Sequence, residues 1–214
     1  MKTEKSRPVI IGLCGRSGAG KGLVSSIFAE MGIPSVDTDA VYRALTAPAA
    51  DKESLSPCMK ELVGAFSEQI LADDLSLDRR AMADIVFADG ASDKLALLNK
   101  ITHKHILAET DRLCDEYGKN GARAVIVDAP VLFESGYDKK CDLTVAVSAP
   151  DELLIKRITE RDNITEEMAR RRLLSQKSED ELRGLTDAVI VNDFTVDALR
   201  EQVRVLAEEA LKKG

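Results

Sequence analysis

Five short runs dense in β-branched and other apolar residues punctuate the chain: Val9–Leu13, Pro34–Val36, Ala124–Val127, Leu143–Val147 and Ala188–Val191. Each lacks the polar alternation of a half-exposed strand, the pattern of strands covered on both faces. Segments of helical spacing separate them. Leu23-Val24-x-x-Ile27-Phe28-x-x-Met31 follows the first run. Pro150 suits the first turn of a helix running to about Arg161. Thr165 is placed to cap the next helix, and Ser178-Glu179-Asp180-Glu181 fits a capping box for a third. A last helix, from Val196 to about Lys212, carries Leu199, Val203 and Leu206 on its apolar face, with Lys212 and Lys213 complementing its dipole. Strands alternating with helices predict an α/β fold, a five-stranded parallel sheet flanked by helices on both faces.

The stretch from Asp39 to Arg123 breaks this alternation, because no convincing strand pattern occurs in it. Leu62-Val63-x-x-Phe66 and Met82-x-x-Ile85-Val86 have helical spacing. From Asp93 to Tyr117 a longer pattern sets Leu97, Leu98, Ile101, Ile106 and Leu113 mainly along one side. A connection of this length predicts an inserted helical subdomain, not a loop. The expected division is a core of residues 1–43 and 122–214, with residues 44–121 as the insert.

The turn after the first strand carries the most specific chemistry. Gly15-Arg16-Ser17-Gly18-Ala19-Gly20-Lys21 lies between a strand pattern and a helix pattern and matches the phosphate-binding P-loop through its lysine. Glycines let backbone N–H groups turn inward, and the helix N-terminus adds positive dipole. Lys21 is then placed to reach the β- and γ-phosphates of a nucleotide. Gly22 stands where Ser or Thr usually ligates magnesium. Such a loop suits a kinase that holds magnesium mostly through water and phosphate.

Composition narrows the partners. The 214 residues include no Trp and few aromatics, which disfavours stacked recognition of single-stranded nucleic acid. A net charge of −7 argues against general nucleic-acid or anionic-membrane binding. The apolar runs are too short to span a bilayer, and the polar N-terminus does not read as a signal peptide. Cys14, Cys58, Cys114 and Cys141 are scattered, as reduced core thiols of a cytosolic protein are. His103 and His105, two apart on a helix, point to different sides and do not form a zinc pair.

Several further groups are candidates for chemistry. Asp37 and Asp39 follow the second strand, where ligands of open α/β sheets bind. Two readings stand: accepting a hydroxyl proton and ordering water around magnesium, or capping the helix that follows. Asp128 ends the third strand at a Walker-B-like position, where it reaches magnesium directly or through water. The alternative is a turn residue before Pro130. Arg157 and Arg161 share one helix face, and Arg170, Arg171, Arg172 and Lys177 follow. This basic block predicts a lid over about residues 157–178 that closes on a triphosphate. Successive helix residues point about 100° apart, so at least one of the three adjacent arginines belongs to a solvated face. His103 reads either as a structural residue of the insert or as a substrate contact.

In order along nearly the whole chain, these pieces resemble the dephospho-CoA kinase family. Ile11–Lys21 is similar to its P-loop, and Gly32-Ile33-Pro34-Ser35-Val36-Asp37-Thr38-Asp39 to its Gly-Ile-x-x-Ile-Asp-Ala-Asp motif. Leu77-Asp78-Arg79, Ile85–Asp89, Leu98–His103 and Asp128–Gly136 resemble further family segments. Arg157, Arg161-Asp162 and Gln176 fit its lid, and Val191-Asn192 its asparagine near the adenine. The resemblance implies a P-loop fold like that of nucleoside monophosphate kinases. It also implies transfer of the ATP γ-phosphate to the ribose 3′-hydroxyl of dephospho-CoA, with Mg2+ as cofactor. Asp39 would be the general base, and Lys21 with a lid arginine, Arg161, would stabilise the transferring group. Gly15, Ser17, Gly18, Ala19, Gly20, Lys21, Gly22, Leu23, Arg157 and Asn192 would bind ATP. Arg79, His103 and Leu132 would join Asp39 on the acceptor side, and Asp128 would serve the metal, directly or through water. The expected partners are ATP and dephospho-CoA alone, without nucleic acid or membrane, acting on a monomer.

The sequence departs from the family pattern at Gly22 and Leu23, at Lys104 in place of a proline, and at Val131 in place of a leucine. Two other readings remain open: a nucleoside monophosphate kinase, which Gly-Lys-Gly favours, and a nucleotide-binding regulator of weakened catalysis.

Overall fold

The computed structural model describes residues 7–193 and 195–212. The expected contribution of Lys213 to the last helix lies outside them. All five apolar runs are strands: β1 (Val9–Gly15), β2 (Ser35–Asp37), β3 (Ala124–Asp128), β4 (Leu143–Ser148) and β5 (Ala188–Val191). They form one sheet in the order β2-β3-β1-β4-β5, and every pairing is parallel. β1 is central, so Val9 to Cys14 are buried on both faces. That explains its unbroken apolar run.

By its contacts the chain divides into two compact units, one of residues up to Asp37 and from Leu113 onward, the other Thr38–Arg112. In the sheet unit, helix α1 (Lys21–Glu30) turns Val24, Ile27 and Phe28 into a core with Ile11, Leu13 and Ile126 of the strands. The same core takes Leu154 and Ile158 of α6 (Asp151–Asp162) and Leu199, Val203, Leu206 and Ala207 of α9 (Val196–Ala210). Burying each large apolar side chain contributes roughly 1.5–3 kcal/mol. Pro150 takes the cap position of α6, one residue before the expected first turn. Thr165 caps α7 (Glu166–Leu174) through the Met168 N–H, and Ser178 with Glu181 closes a reciprocal capping box on α8 (Glu179–Leu185).

The second unit is helical. It contains α2 (Thr38–Leu45), α3 (Pro57–Phe66), α4 (Arg79–Val86) and most of α5 (Ser92–Lys119). α2 belongs with these helices and packs on α3, so the unit begins at Thr38, ahead of the boundary expected after residue 43. Ser56 caps α3 through the Met59 N–H, and Asp78 caps α4 through two N–H groups. Cys58, Met59, Leu62, Phe66, Ile70, Met82, Val86 and Ile101 make its core. One residue of the long helix departs from expectation. Ile101 is buried and Leu98 is half-buried against this core, but Leu97 is exposed. Adjacent helix residues point about 100° apart, and here the step from Leu98 to Leu97 leaves the apolar stripe.

Candidate active site

The P-loop leaves the C-terminal end of the central strand, and Lys21 opens α1. Two of its glycines have a steric reason. Gly15 sits at φ +149°, and a Cβ there would come within 2.5 Å of the Val147 carbonyl oxygen. Gly20 sits at φ +94° in the cap position of α1, where a Cβ would come within 2.2 Å of Asn192 Nδ2. Among the described residues no side chain caps α1, and its first turn holds no acidic residue. Its N-terminal N–H groups and dipole are thus left to an anion.

Side chains distant in sequence brace this loop. Asn192 Nδ2 donates to the Ala19 carbonyl at 2.8 Å. Arg157 donates from Nη1 to the Gly18 carbonyl at 3.3 Å and from Nη2 to the Asn192 carbonyl at 3.1 Å. Gln176 Oε1 accepts the Ser17 N–H at 2.9 Å, and Arg161 Nη2 donates to Ser17 Oγ at 3.3 Å. Lys21 Nζ reaches the Gly15 carbonyl at 3.4 Å, folded back over the loop. Arg16 pairs with Asp151 at the start of α6. The structure thus gathers Ser17, Gly18, Ala19, Gly20, Lys21, Arg157, Arg161 and Asn192 around one turn.

The basic block divides by partner. Arg161 and Arg172 both pair with Asp162. The two guanidinium groups hold the Asp162 carboxyl well below the usual carboxylate range, and the carboxylate in turn raises the pKa of Arg161. Arg170 and Arg171 instead pair with Glu166 and Glu167 one turn away on exposed faces. These two belong to the solvated face that helical spacing demanded. Lys177 pairs with Glu134 at 2.8 Å, which raises the lysine's pKa.

Carboxylates cluster at the strand ends. Asp128 ends β3 in register with Leu13 of β1 and with Asp37, the last residue of β2. α2 follows β2 without a loop, and Asp39 lies in its first turn, inside the helix and past the cap position. Gly22, the second residue of α1, is exposed, and a Cβ there would meet nothing within 4 Å. Leu23 beside it is 39% exposed.

In the helical unit, Arg79 opens α4 with its guanidinium 5.9 Å from the centre of the Tyr42 ring, a cation–π contact. His103 is half-buried on α5. His105 Nε2 lies 2.7 Å from Glu61 Oε2, and Lys104 pairs with the same carboxylate. The side chain of Leu132 is fully buried and lies beside Gly12. The Pro-Val-Leu-Phe-Glu pattern carried no information on burial. The neighbour that is exposed is Val131.

No helix among the described residues is long and apolar enough to cross a membrane. The four cysteines are reduced thiols; Cys14, Cys58 and Cys114 are buried.

The family model for dephospho-CoA kinase matches residues 9–198. A dephospho-CoA kinase from Corynebacterium glutamicum is 35% identical over 203 residues, covering 95% of this chain and 98% of its own. One from Bacillus cereus is 33% identical over 201 residues, covering 94% and 96%. Among solved structures, a Thermus thermophilus protein superposes with a TM-score of 0.74 at 30% identity, over 95% of this chain and 98% of that one. A Campylobacter jejuni dephospho-CoA kinase gives 0.59 at 22% identity over 96% and 98%, a likeness of fold. A P-loop on the central strand of a five-stranded parallel sheet, with family similarity along nearly its whole length, makes this chain a member of the dephospho-CoA kinase family.

Proposed function

We propose that the chain transfers the γ-phosphoryl group of ATP to the ribose 3′-hydroxyl of dephospho-CoA, giving coenzyme A and ADP. The observation that carries this reading is the uncapped P-loop and α1 N-terminus on the central strand, in a chain of this family. Gly15 to Leu23 would hold the phosphates, with backbone N–H groups and the helix dipole facing the anion. Lys21 would swing from the Gly15 carbonyl onto the β- and γ-phosphates, and Arg161 would move from Ser17 to the transferring group. The region of residues 157–178 would act as a lid that excludes water. Asp39 would take the proton of the attacking hydroxyl, a contribution of roughly 10²–10⁴ in rate. Residues of the helical unit, Arg79 and His103 among them, would hold the acceptor.

The donor set fits magnesium. Among the described residues no three His, Cys, Asp or Glu side chains form a metal cage. Magnesium rarely uses one; it binds through one or two carboxylates, waters and substrate phosphates. Asp128, directly or through water, would hold it with the nucleotide, and Asp39 would order the water around it. Bound there, the ion would neutralise charge on the β- and γ-phosphates. In this reading the protein is a cytosolic monomer acting on two small molecules, in keeping with its net charge of −7.

A panel assay tests the reading. Purified protein with ATP and magnesium is offered dephospho-CoA, AMP, CMP or UMP, and ADP release is followed. Turnover with dephospho-CoA is expected. Robust turnover of a nucleoside monophosphate with none on dephospho-CoA would replace it with the monophosphate-kinase reading. Nucleotide binding without turnover of any acceptor would favour the regulator.

A further inference from the structure

We infer that Asn192 is a positioning residue for the phosphate loop, acting through the peptide between Ala19 and Gly20 instead of reading the adenine base. The inference rests on the reading that this loop receives the nucleotide's phosphates.

Asn192 sits one residue past β5 and is fixed from several sides. Its N–H donates to the Ser148 carbonyl at 2.8 Å, which extends the β4–β5 pairing by one residue. Its backbone thus belongs to the sheet, held by a hydrogen bond of ordinary length. Arg157 holds its carbonyl, and Gln202 of α9 clasps the strand end just before it, bonding both the N–H and the carbonyl of Val191 at 2.9 Å. The asparagine is only 7% exposed, so its side chain is ordered by its surroundings and not by solvent.

From this anchored position Nδ2 reaches back to the Ala19 carbonyl at 2.8 Å. In a planar trans peptide the carbonyl and the following N–H point in opposite directions. Pinning the Ala19 carbonyl toward Asn192 therefore turns the Gly20 N–H to the other side of the loop. Arg157 pins the preceding carbonyl, that of Gly18, from the same guanidinium that holds Asn192. Two successive peptides of the loop are set by one buckle. Gly20 is part of the same device, since any Cβ at that position would collide with Asn192 Nδ2. One of the two Nδ2–H groups is committed to the loop's own backbone, and at 7% exposure little of the amide is open to a purine.

The test compares two ligands that share phosphates and differ in the base. Binding of inorganic tripolyphosphate and of a non-hydrolysable ATP analogue is measured calorimetrically, with magnesium, for the wild type, Asn192→Ala and Asn192→Asp. The aspartate keeps the shape but faces the Ala19 carbonyl with an acceptor. Losing one net hydrogen bond to the loop should weaken both ligands by about the same factor, up to tenfold. Arg157→Lys, which leaves the buried asparagine in place and cannot fork, should show a smaller, equally shared loss, and guards against a misfolded Asn192 variant. Weakened binding of the ATP analogue with tripolyphosphate unchanged would overturn the inference and return Asn192 to the adenine. Unchanged binding of both ligands in folded variants would also overturn it. Failure of the wild type to bind tripolyphosphate while it binds the ATP analogue would strike instead at the phosphate-loop reading, and the inference would fall with it.

Discussion

The side-chain carbonyl of Gln176 accepts the backbone N–H of Ser17 at 2.9 Å, so a residue beside the basic block occupies one amide of the phosphate loop. A nucleotide phosphate seeking that amide has to displace it. Apparent affinity falls when part of the population is held in a form that cannot bind.

Gln176→Ala should therefore tighten ATP binding. One exposed neutral hydrogen bond is worth about 1 kcal/mol or less net, which sets the expected gain at up to about fivefold. The dissociation constant of a non-hydrolysable ATP analogue, measured for both proteins, checks this. Weaker binding in the variant would mean that Gln176 stays with the nucleotide as a ligand.

Asp39→Asn should leave ATP affinity within about twofold and lower turnover on dephospho-CoA by about 10²-fold or more, the scale of a lost general base. Asp39 lies inside the first turn of α2, so the substitution removes a favourable charge near the helix N-terminus, worth about 0.3–1 kcal/mol. A modest fall in melting temperature is thus expected alongside the kinetic loss. Wild-type turnover in the variant would leave Asp39 with only that helix-dipole role.

The cysteines give a prediction in pH. Burial pushes the thiol of Cys14 up to about 12, that of Cys58 to about 11 and that of Cys141 to about 12. An unfolded thiol titrates near 8.5, so above about that pH the native chain keeps protons that the unfolded chain releases. Native stability contributed by these groups is therefore complete below about pH 8.5 and is lost as pH rises toward the folded values. Urea midpoints should decline from about pH 9 upward, and these thiols should resist a thiol reagent near pH 7.5 until the protein is denatured. Rapid labelling of native Cys14 or Cys141 at that pH would contradict the burial argument.

Much of this was legible in the chain because the relevant physics is local. Strand runs such as Ala124–Val127 announce burial on both faces, and the caps at Thr165 and Ser178 act within three residues of themselves. The phosphate loop is equally local, a strand end, a turn and a helix start. What escaped was set by packing across the sequence. Gln176 meets Ser17 across 159 positions and Asn192 meets Ala19 across 173, and no spacing rule encodes either contact. The full burial of Leu132 was not legible either, because a motif names a residue without saying which way its side chain points. Leu97 was misplaced because spacing alone does not mark where the edge of an apolar stripe falls, and Leu97 lies just beyond it.

Gly22 allows the sharpest test of metal handling. A Ser or Thr hydroxyl at this position of a P-loop normally takes one site in the magnesium shell. Glycine has no such group, and magnesium retains water readily, so a water is expected to take that site. The surroundings do not demand glycine: a Cβ at Gly22 would meet nothing within 4 Å, and the residue lies inside α1 without the positive φ that favours glycine. Glycine within a helix is also less favourable than most residues, by up to about 1 kcal/mol. Gly22→Ser should therefore fold at least as stably as the wild type. With the hydroxyl restored, the magnesium concentration for half-maximal turnover should fall, while the preference for dephospho-CoA over nucleoside monophosphates stays the same. Magnesium titrations of both proteins at saturating ATP, beside their melting curves, decide the matter. A well-folded variant with an unchanged magnesium midpoint would show that the missing hydroxyl is not what limits metal binding in this loop.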